Sequence, residues 1–178
     1  MGDFAAAMRI ILFRHAPAEE RDEQLWPDDL LRPLTTRGRQ RARRASRGIM
    51  WLESRLTRVL TSPARRALET ANELSAASGE GVRVELMATL APGGSWRATL
   101  RALAREDKDR VIALVGHEPD LGKLAGVLLF GAPAAVPLKK AGACAIELES
   151  PAAGGGRLRW LLSPGALRAL ANKKRSRA

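Results

Sequence analysis

The sequence predicts an α/β fold: a three-layer α/β/α sandwich with a mostly parallel central sheet and a C-terminal antiparallel hairpin. Two apolar runs, residues 8–13 (MRIILF) and 111–115 (VIALV), have the length and composition of central strands buried on both faces. Helical and strand-like segments alternate along most of the chain, which indicates a sheet covered by helices. The length of 178 residues suits one domain with a substantial core and is too short for two of ordinary size.

The expected elements follow the first strand in regular alternation. A helix begins with Thr35 or Thr36 as its N-cap and runs to about Ser54. In the next helix, Ser62 is expected to cap the N-terminus and Pro63 to take the first helical position. The other expected elements are strands at 58–61, 82–86 and 111–115, helices ending near 79, spanning 96–105 and starting near 118, a hairpin of 142–149 and 157–162, and a short final helix.

The termini and the single cysteine bound the domain and its surroundings. We expect one domain over residues 8–172, preceded by a short extension (1–7) and followed by a disordered basic tail (173–178). Cys144 stands alone, which excludes an internal disulfide framework and a cysteine-rich zinc site, and its apolar neighbours predict a core position. No segment has the apolar length of a signal peptide or a membrane span, so we expect a cytoplasmic protein without a membrane partner.

Positive charge is concentrated in one arginine-rich segment. The chain carries a formal charge of +11, and its densest run, residues 37–47, lies on the first predicted helix. Apolar residues recur there at helical spacing, so the arginines occupy the opposite face. A solvated face is favoured over a polyanion-binding face, because charge runs usually belong to solvated faces. The tryptophans do not cluster into a stacking platform, so nucleic acid is not expected as a partner.

Both histidines of the chain follow predicted strands: His15 lies in LFRHAPAEE and His117 in LVGHEPDLG. Ligands of open α/β sheets bind outside the carboxyl ends of such strands, so both imidazoles should face one crevice. Arg14 beside His15 combines a guanidinium that can bind two phosphoryl oxygens with a nitrogen that can attack phosphorus. Arg65 and Arg66 in the first turn of a helix favour an anion there. The set indicates phosphoryl transfer, with His117 neutralising charge on the transferred group.

Three motifs follow one another along the chain. They are Arg14-His15 after the first strand, Ser62-Pro-x-x-Arg66-Ala-x-x-Thr70 on a later helix, and Gly116-His117 after a later strand. Together they resemble the histidine phosphatase superfamily, also called phosphoglycerate-mutase-like. The short length, the segment Arg32-Pro-Leu-Thr-Thr-Arg-Gly38 and the closing Leu161-Leu-Ser-Pro164 resemble its SixA branch of phosphohistidine phosphatases. The resemblance covers residue 8 to about residue 170, and it implies a phosphatase that uses neither a cofactor nor a metal.

The resemblance also implies roles for individual residues. His15 carries the phosphoryl group in a covalent intermediate, and His117 completes the pocket. The family spacing selects Arg66 rather than Arg65 as the arginine on the helix. The catalytic set is then His15, His117, Arg14 and Arg66. The substrate-binding set is Arg14, Arg66, His117 and Arg32, which matches an additional phosphate-binding arginine of the SixA branch.

Two departures from the family pattern bear on the substrate. Ala16 stands where the family usually has glycine, a small change that removes no reacting group. The loop at 90–96 lacks the acid that many relatives use to protonate the leaving oxygen. An imidazole leaving from phosphohistidine needs that proton less than an alkoxide does, so the missing acid favours an activated phosphoryl donor. Glu118 is an alternative donor, since a distant branch places its acid directly after the second histidine, but a charge at a helix N-terminus is the favoured interpretation.

The expected function is that of a phosphatase whose substrate is phosphohistidine on a protein, for example on a histidine-phosphotransfer domain. A phosphatase for small phosphomonoesters is the enzymatic alternative. Mutase activity is disfavoured, because the chain lacks the insertions and the acidic loop of the mutases. A basic module that binds a phosphate group or polyanion without turnover is the non-enzymatic alternative, and it would show affinity without a phosphoenzyme.

Overall fold

A computed structural model describes residues 8–79, 81–105 and 111–173 of the chain. The extension at 1–7 and the basic tail from residue 174 onward lie outside the described residues. The strands are β1 (Met8–Arg14), β2 (Leu56–Thr61), β3 (Arg83–Leu86), β4 (Val111–Gly116), β5 (Ala143–Leu148) and β6 (Arg157–Leu162). The helices are α1 (Thr36–Leu52), α2 (Arg65–Ser78), α3 (Trp96–Leu103), α4 (Asp120–Phe130) and α5 (Pro164–Ala171), with 3-10 turns at Asp29–Leu31 and Ala88–Leu90.

The six strands form one sheet in the order β3-β2-β4-β1-β5-β6. The four strands from β3 to β1 are parallel, β5 is antiparallel to β1, and β6 is antiparallel to β5. The fold class predicted from the sequence is therefore confirmed, with the C-terminal hairpin at one edge of the sheet. β1 and β4 occupy its centre, as expected for apolar runs that are buried on both faces.

Side chains of β1 alternate between two apolar clusters, one on each face of the sheet. Ile11 and Phe13 pack with residues of α1, α2 and α5. Met8, Ile10 and Leu12 pack with residues of α3 and α4. All five side chains are fully buried, and each contributes about 1.5–3 kcal/mol of transfer free energy on burial. Helices thus cover both faces of the sheet and produce the three layers.

Two helices begin about two residues later than the sequence predicts. α2 starts after Ala64, its N-cap, so the prediction that Ser62 caps this helix and Pro63 opens it is wrong. The Ser62 hydroxyl instead accepts a hydrogen bond from the Ala64 N–H at 3.1 Å, within the turn that precedes the helix. α4 starts at Asp120 rather than near Glu118, because a residue directly before proline is disfavoured in the helical region.

The other departures from the predicted bounds are small. α1 ends at Leu52 rather than near Ser54, and α3 ends at Leu103 rather than Arg105. Cys144 is fully buried in β5, as predicted. In the segments 8–79, 81–105 and 111–173, no helix has the length and apolar character needed to cross a membrane. The same residues contain no group of three or more His, Cys, Asp or Glu placed to hold a metal ion.

Candidate active site

His15 and His117 lie side by side at the carboxyl ends of β1 and β4. The two strands are parallel neighbours whose register pairs Arg14 with Gly116, and the His15 N–H donates to the Gly116 carbonyl at 3.0 Å. The ring centroids are 5.0 Å apart, and the ring planes are tilted by 53°. Both residues are buried, with 6% and 4% of their surface exposed. The fold therefore brings the two predicted imidazoles into one crevice.

One hydrogen bond fixes the tautomer of His15. Its Nδ1 atom lies 2.7 Å from the Ala16 carbonyl oxygen. Because a carbonyl only accepts, Nδ1 carries the proton and Nε2 keeps its lone pair. Burial, together with the positive charges of Arg66 and Arg14, lowers the pKa of His15 to about 3. At neutral pH the ring is therefore an uncharged base with one unprotonated nitrogen, which is the form that a nucleophile needs.

His117 is held by a hydroxyl that follows β2. Its Nε2 atom lies 2.9 Å from Ser62 Oγ. Burial, together with the charge of Arg66, lowers the pKa of His117 to about 4, so this ring is also uncharged at neutral pH. A phosphoryl group bound beside it would raise that pKa, because a nearby negative charge favours the imidazolium. The contact of Ser62 with His117 was not predicted from the sequence, since a serine before a proline also fits a helix cap.

Arg14 is oriented by the segment that precedes β5. Its Nη1 atom donates to the Leu138 carbonyl at 2.8 Å. The Nε atom of Arg14 is buried and makes no hydrogen bond with any residue that the structure describes. The guanidinium is thus fixed through one nitrogen and keeps further donors for the planar, two-oxygen binding that suits a phosphoryl group.

Asp29 joins the two other predicted arginines. Arg66 donates through Nη1 to the Asp29 carbonyl at 2.7 Å, and its Nη2 atom lies 3.0 Å from the carboxylate oxygen Oδ2. Arg32 donates through Nε to Oδ1 of the same carboxylate at 2.9 Å. Although burial opposes it, the hydrogen bond from Arg32 and the charge of Arg66 lower the pKa of Asp29. Asp29 was not predicted from the sequence, where its only signal is its position three residues before Arg32.

The sequence matches the family model described as Histidine phosphatase superfamily (branch 1) over residues 10–120. That segment contains both histidines and the three arginines Arg14, Arg32 and Arg66. The chain belongs to the histidine phosphatase superfamily. The match confirms the resemblance that the three sequence motifs indicate.

Members of the superfamily with solved structures share this fold. The protein histidine phosphatase SixA complexed with tungstate is 27% identical, with a TM-score of 0.76 over 90% of this chain and 99% of that one. A mycobacterial glucosyl-3-phosphoglycerate phosphatase shares the fold at 16% identity, with a TM-score of 0.63 over 88% of this chain and 99% of that one. In sequence, the chain is 39% identical over 149 residues to an uncharacterized protein of Picosynechococcus sp., covering 82% and 87% of the two chains. The chain is thus a SixA-like member of the histidine phosphatase superfamily.

Two further basic residues differ in their relation to the histidine phosphatase pocket. Arg65 is half exposed and pairs with Glu69 on the same helix, with Nε and Oε1 3.0 Å apart. Lys140 was not singled out from the sequence, but burial and the positive charges of Arg14 and Arg32 lower its pKa. The positive charge of the pocket therefore acts on the Lys140 ammonium group, whereas Arg65 is paired with Glu69 on the surface of α2.

The segment after His15 is fixed to α2 through a threonine of the family motif. The Ala16 N–H donates to Thr70 Oγ1 at 3.1 Å, and the Thr70 hydroxyl donates to the Arg66 carbonyl at 2.7 Å. Among the non-glycine residues of the described ranges, only Ala141 has a positive φ. Ala16 therefore has a backbone conformation open to any residue, and the replacement of the usual glycine introduces no backbone strain.

Glu118 follows the second histidine, but its carboxylate is engaged by backbone groups. Oε1 accepts a hydrogen bond from the Leu138 N–H at 2.9 Å, and the carboxylate lies close to Gly122 in the first turn of α4. Burial raises the pKa of Glu118. These contacts agree with a charge at a helix N-terminus. They also brace the Leu138 segment, whose carbonyl holds Arg14.

A second acid, Asp120, contacts the 90–96 loop, which has no acidic residue of its own. The Gly93 N–H of that loop donates to Asp120 Oδ2 at 2.8 Å. Asp120 and His117 both line a small cavity of about 10 Å³ between the loop and α4, which is about the space of one water molecule. Asp120 was not predicted from the sequence, because its contact with the loop depends on how the loop and α4 pack together.

Proposed function

We propose that the chain hydrolyses phosphohistidine on a protein through a covalent intermediate on Nε2 of His15. The observation that carries this proposal is the hydrogen bond between His15 Nδ1 and the Ala16 carbonyl. It leaves Nε2 as the unprotonated nitrogen, in a pocket with a second histidine and buried guanidinium donors. A neutral imidazole surrounded by fixed cations matches the needs of attack on a negatively charged phosphoryl group.

In the first step, Nε2 of His15 attacks the phosphorus atom, and the bond between phosphorus and the substrate imidazole breaks. His117 takes up a proton from solvent when the negatively charged phosphoryl group binds beside it. The electron pair of the broken bond leaves with the substrate nitrogen, which takes up a proton from solvent as it departs. Arg14 and Arg66 donate to the phosphoryl oxygens, and the His117 imidazolium adds a further positive charge beside them. Fixed donors need no reorganisation during the reaction, so they stabilise the transition state more than solvent would.

In the second step, a water molecule attacks the phosphorus of phosphorylated His15. The bond between phosphorus and Nε2 breaks, and its electron pair returns to Nε2. One proton of the water is released to solvent, inorganic phosphate leaves the pocket, and His117 then returns its proton to solvent. The hydrogen bond from Nδ1 to Ala16 persists through both steps, so Nε2 is regenerated in the tautomer that starts the next cycle.

The substrate class follows from the surroundings of the leaving group. The 90–96 loop carries no acid, and the carboxylate of Glu118 accepts a backbone hydrogen bond from Leu138. An imidazole leaving group tolerates the lack of a proton donor better than a basic alkoxide does. These features favour phosphohistidine as the substrate.

A small-molecule phosphomonoesterase is the second candidate, and the position of Asp120 favours it. The Asp120 carboxylate lines the same small cavity as His117, where a protonated acid would serve an alkoxide leaving group.

Turnover by the purified protein should be compared on a histidine-phosphorylated peptide and on a panel of aryl and alkyl phosphomonoesters. We expect kcat/KM to be highest for phosphohistidine and to fall steeply as the leaving group becomes more basic. An alkyl phosphomonoester cleaved as well as the phosphohistidine peptide would overturn the proposal in favour of the second candidate.

Variants of the two acids sharpen the same comparison. Glu118→Gln and Asp120→Asn should each change phosphohistidine and alkyl ester hydrolysis by the same small factor, because neither acid donates the proton in the proposed reaction. A selective collapse of alkyl ester hydrolysis in one variant, with phosphohistidine spared, would identify that residue as the proton donor of a general phosphomonoesterase.

A further inference from the structure

The arginines of α1 divide into two stripes with different surroundings. Arg39 and Arg43, one turn apart, pair with Glu69 and Glu73 of α2 at 3.2 Å each. The second stripe, at i, i+4 and i+7, consists of Arg37, Arg41 and Arg44 and lies on the side of α5. Of the six arginines of α1, two are therefore neutralised by α2 and three lie on the side of α5, while Arg47 lines a separate depression.

The second stripe lines a groove between α1 and α5. The groove has a volume of about 200 Å³ and is lined by Arg37, Gln40, Arg41, Arg44 and Arg168. None of its four arginines forms an ion pair or side-chain hydrogen bond with another residue in 8–79, 81–105 or 111–173. We call this surface the arginine groove. Four like charges that converge without carboxylates form a site for a partner with several negative charges.

The close packing of the two helices keeps these arginines together. A Cβ atom at Gly48 would lie 2.0 Å from the Leu167 carbonyl oxygen, so the backbones of α1 and α5 approach to a distance that only glycine allows. Arg168 directly follows Leu167, and both Arg168 and Arg41 are half-buried. The packing thus holds together the backbones that carry these arginines, while the guanidiniums can adapt to a partner.

The arginine groove begins near the carboxyl ends of the parallel strands, where the pocket lies. Gly38 in the first turn of α1 packs against the Pro17 carbonyl, two residues after His15. β6 ends on the same side of the molecule, because its last residue, Leu162, pairs with Ala143, and Ala143 pairs with Phe13 near the end of β1. α5 starts directly after β6, on that same side. From there the groove extends along α1 for about 10 Å, from Arg37 to Arg44. A protein whose phosphohistidine enters the pocket would lie over this surface.

We propose that the arginine groove docks an acidic surface of the phosphorylated protein substrate, with carboxylates of the partner bound by its guanidiniums. This inference rests on the proposed function. Guanidinium groups bind carboxylates through two parallel hydrogen bonds. The lining contains no aromatic side chain on which a base could stack, so an acidic protein surface fits the groove better than single-stranded nucleic acid does.

The test compares two histidine-phosphorylated peptides of equal length, one flanked by aspartates and the other by serines. The groove variant Arg41→Gln/Arg44→Gln is matched by the control Arg39→Gln/Arg43→Gln, which removes the same charge from the same helix. The groove variant should raise KM for the acidic peptide about tenfold, with kcat unchanged and with the serine peptide and p-nitrophenyl phosphate unaffected. The control variant should leave the preference for the acidic peptide in place. Equal effects of the two variants, or equal KM values of the wild type for both peptides, would overturn the docking proposal.

Direct binding separates this inference from the proposed function. Fluorescence anisotropy with the unphosphorylated acidic peptide should show weaker binding to the groove variant than to the control, whether or not the phosphorylated peptide is hydrolysed. If neither phosphopeptide is hydrolysed but this difference persists, the groove remains a docking site and the proposed function fails. A single-stranded RNA of equal charge that displaces the acidic peptide with higher affinity would contradict the assignment of a protein partner.

Discussion

Arginines cluster in two regions of the molecule, the pocket and the arginine groove, and the two clusters differ in how the guanidiniums are bound. In the pocket, Arg14 and Arg66 are fixed by the Leu138 carbonyl and by Asp29 at 2.7–3.0 Å. In the arginine groove, the guanidiniums have no such partners in the part of the chain that the structure describes. Fixed donors suit a transition state, whose geometry is defined to within a fraction of an ångström. Unfixed charges suit the attraction of a partner whose surface varies.

This difference predicts separate kinetic signatures for the two regions. Changes in the pocket should act on the chemical step and be felt by every substrate. Changes in the groove should act on KM and be felt only by substrates that extend beyond the phosphoryl group. The following predictions test the pocket side of the comparison.

The largest effect is expected for the nucleophile. His15→Ala should abolish turnover of phosphohistidine and of phosphomonoesters alike, because it removes the nitrogen that attacks phosphorus, and the other imidazole of the pocket is bound through Nε2 to Ser62 Oγ. Circular dichroism and thermal unfolding check that the variant remains folded. Substantial hydrolysis by folded His15→Ala would mean that water attacks the substrate directly and that the pocket only binds it.

The next largest effect is expected for the arginine on α2, and its neighbour provides the control. Arg66→Ala should lose about 3 kcal/mol of transition-state stabilisation, as for other preorganised donors, measured as a drop in kcat/KM. Arg65→Ala should be mild, since Arg65 is engaged with Glu69 on the helix surface. The reverse ranking would show that the phosphoryl group binds outside the pocket.

The buried histidines should also make stability depend on pH. Their folded pKa values of about 3 and 4 lie below the unfolded value of 6.5, so between these values the unfolded chain binds more protons. Stability should therefore fall as pH decreases below 6.5, by about 1.4 kcal/mol per pH unit for each histidine. Urea unfolding between pH 7 and 5 measures this slope. The slope should shrink in His15→Asn/His117→Asn, and an unchanged slope would show that other groups cause it.

A smaller effect is expected for the carboxylate that joins the arginines. Asp29→Asn keeps the shape of the side chain but removes the charge that orients Arg66 and Arg32, so kcat should fall about tenfold. In the double variant with Arg66→Ala, the two losses should be less than additive, because Asp29→Asn acts partly through the Arg66 guanidinium that the second change removes. A rise in activity with a lower KM would instead show that the Asp29 carboxylate competes with the phosphoryl group.

The sequence predicts the strands that carry the two histidines of the pocket, because these strands have local apolar patterns. The apolar runs before His15 and His117 identify β1 and β4, and parallel strands place their carboxyl ends at one edge. Asp29 was not predicted, because it lies in an irregular connection without periodicity, and its partners are distant in the chain. Ser62 was assigned to a helix cap for the same reason, since its contact with His117 depends on how β2 and β4 are paired.

The division of the arginine run shows the same limit. Helical spacing predicts that the arginines lie opposite the apolar face, and that expectation concerns α1 alone. Which of them are neutralised depends on the glutamates of α2, and which of them converge depends on Arg168 of α5. Contacts between elements distant in sequence leave no periodic signal within either one, so the groove emerges only from the folded chain.

The central claim is that His15 Nε2 accepts the phosphoryl group, and trapping the intermediate tests it most directly. The wild-type protein is mixed with a histidine-phosphorylated peptide, quenched in alkali to preserve phosphohistidine, digested and mapped by mass spectrometry. We predict one phosphoryl group on His15, attached through Nε2, that forms and decays on the timescale of turnover and is absent from His15→Ala. A phosphoryl group on His117, attachment through Nδ1 of His15, or turnover without any phosphorylated histidine in the protein would contradict the account.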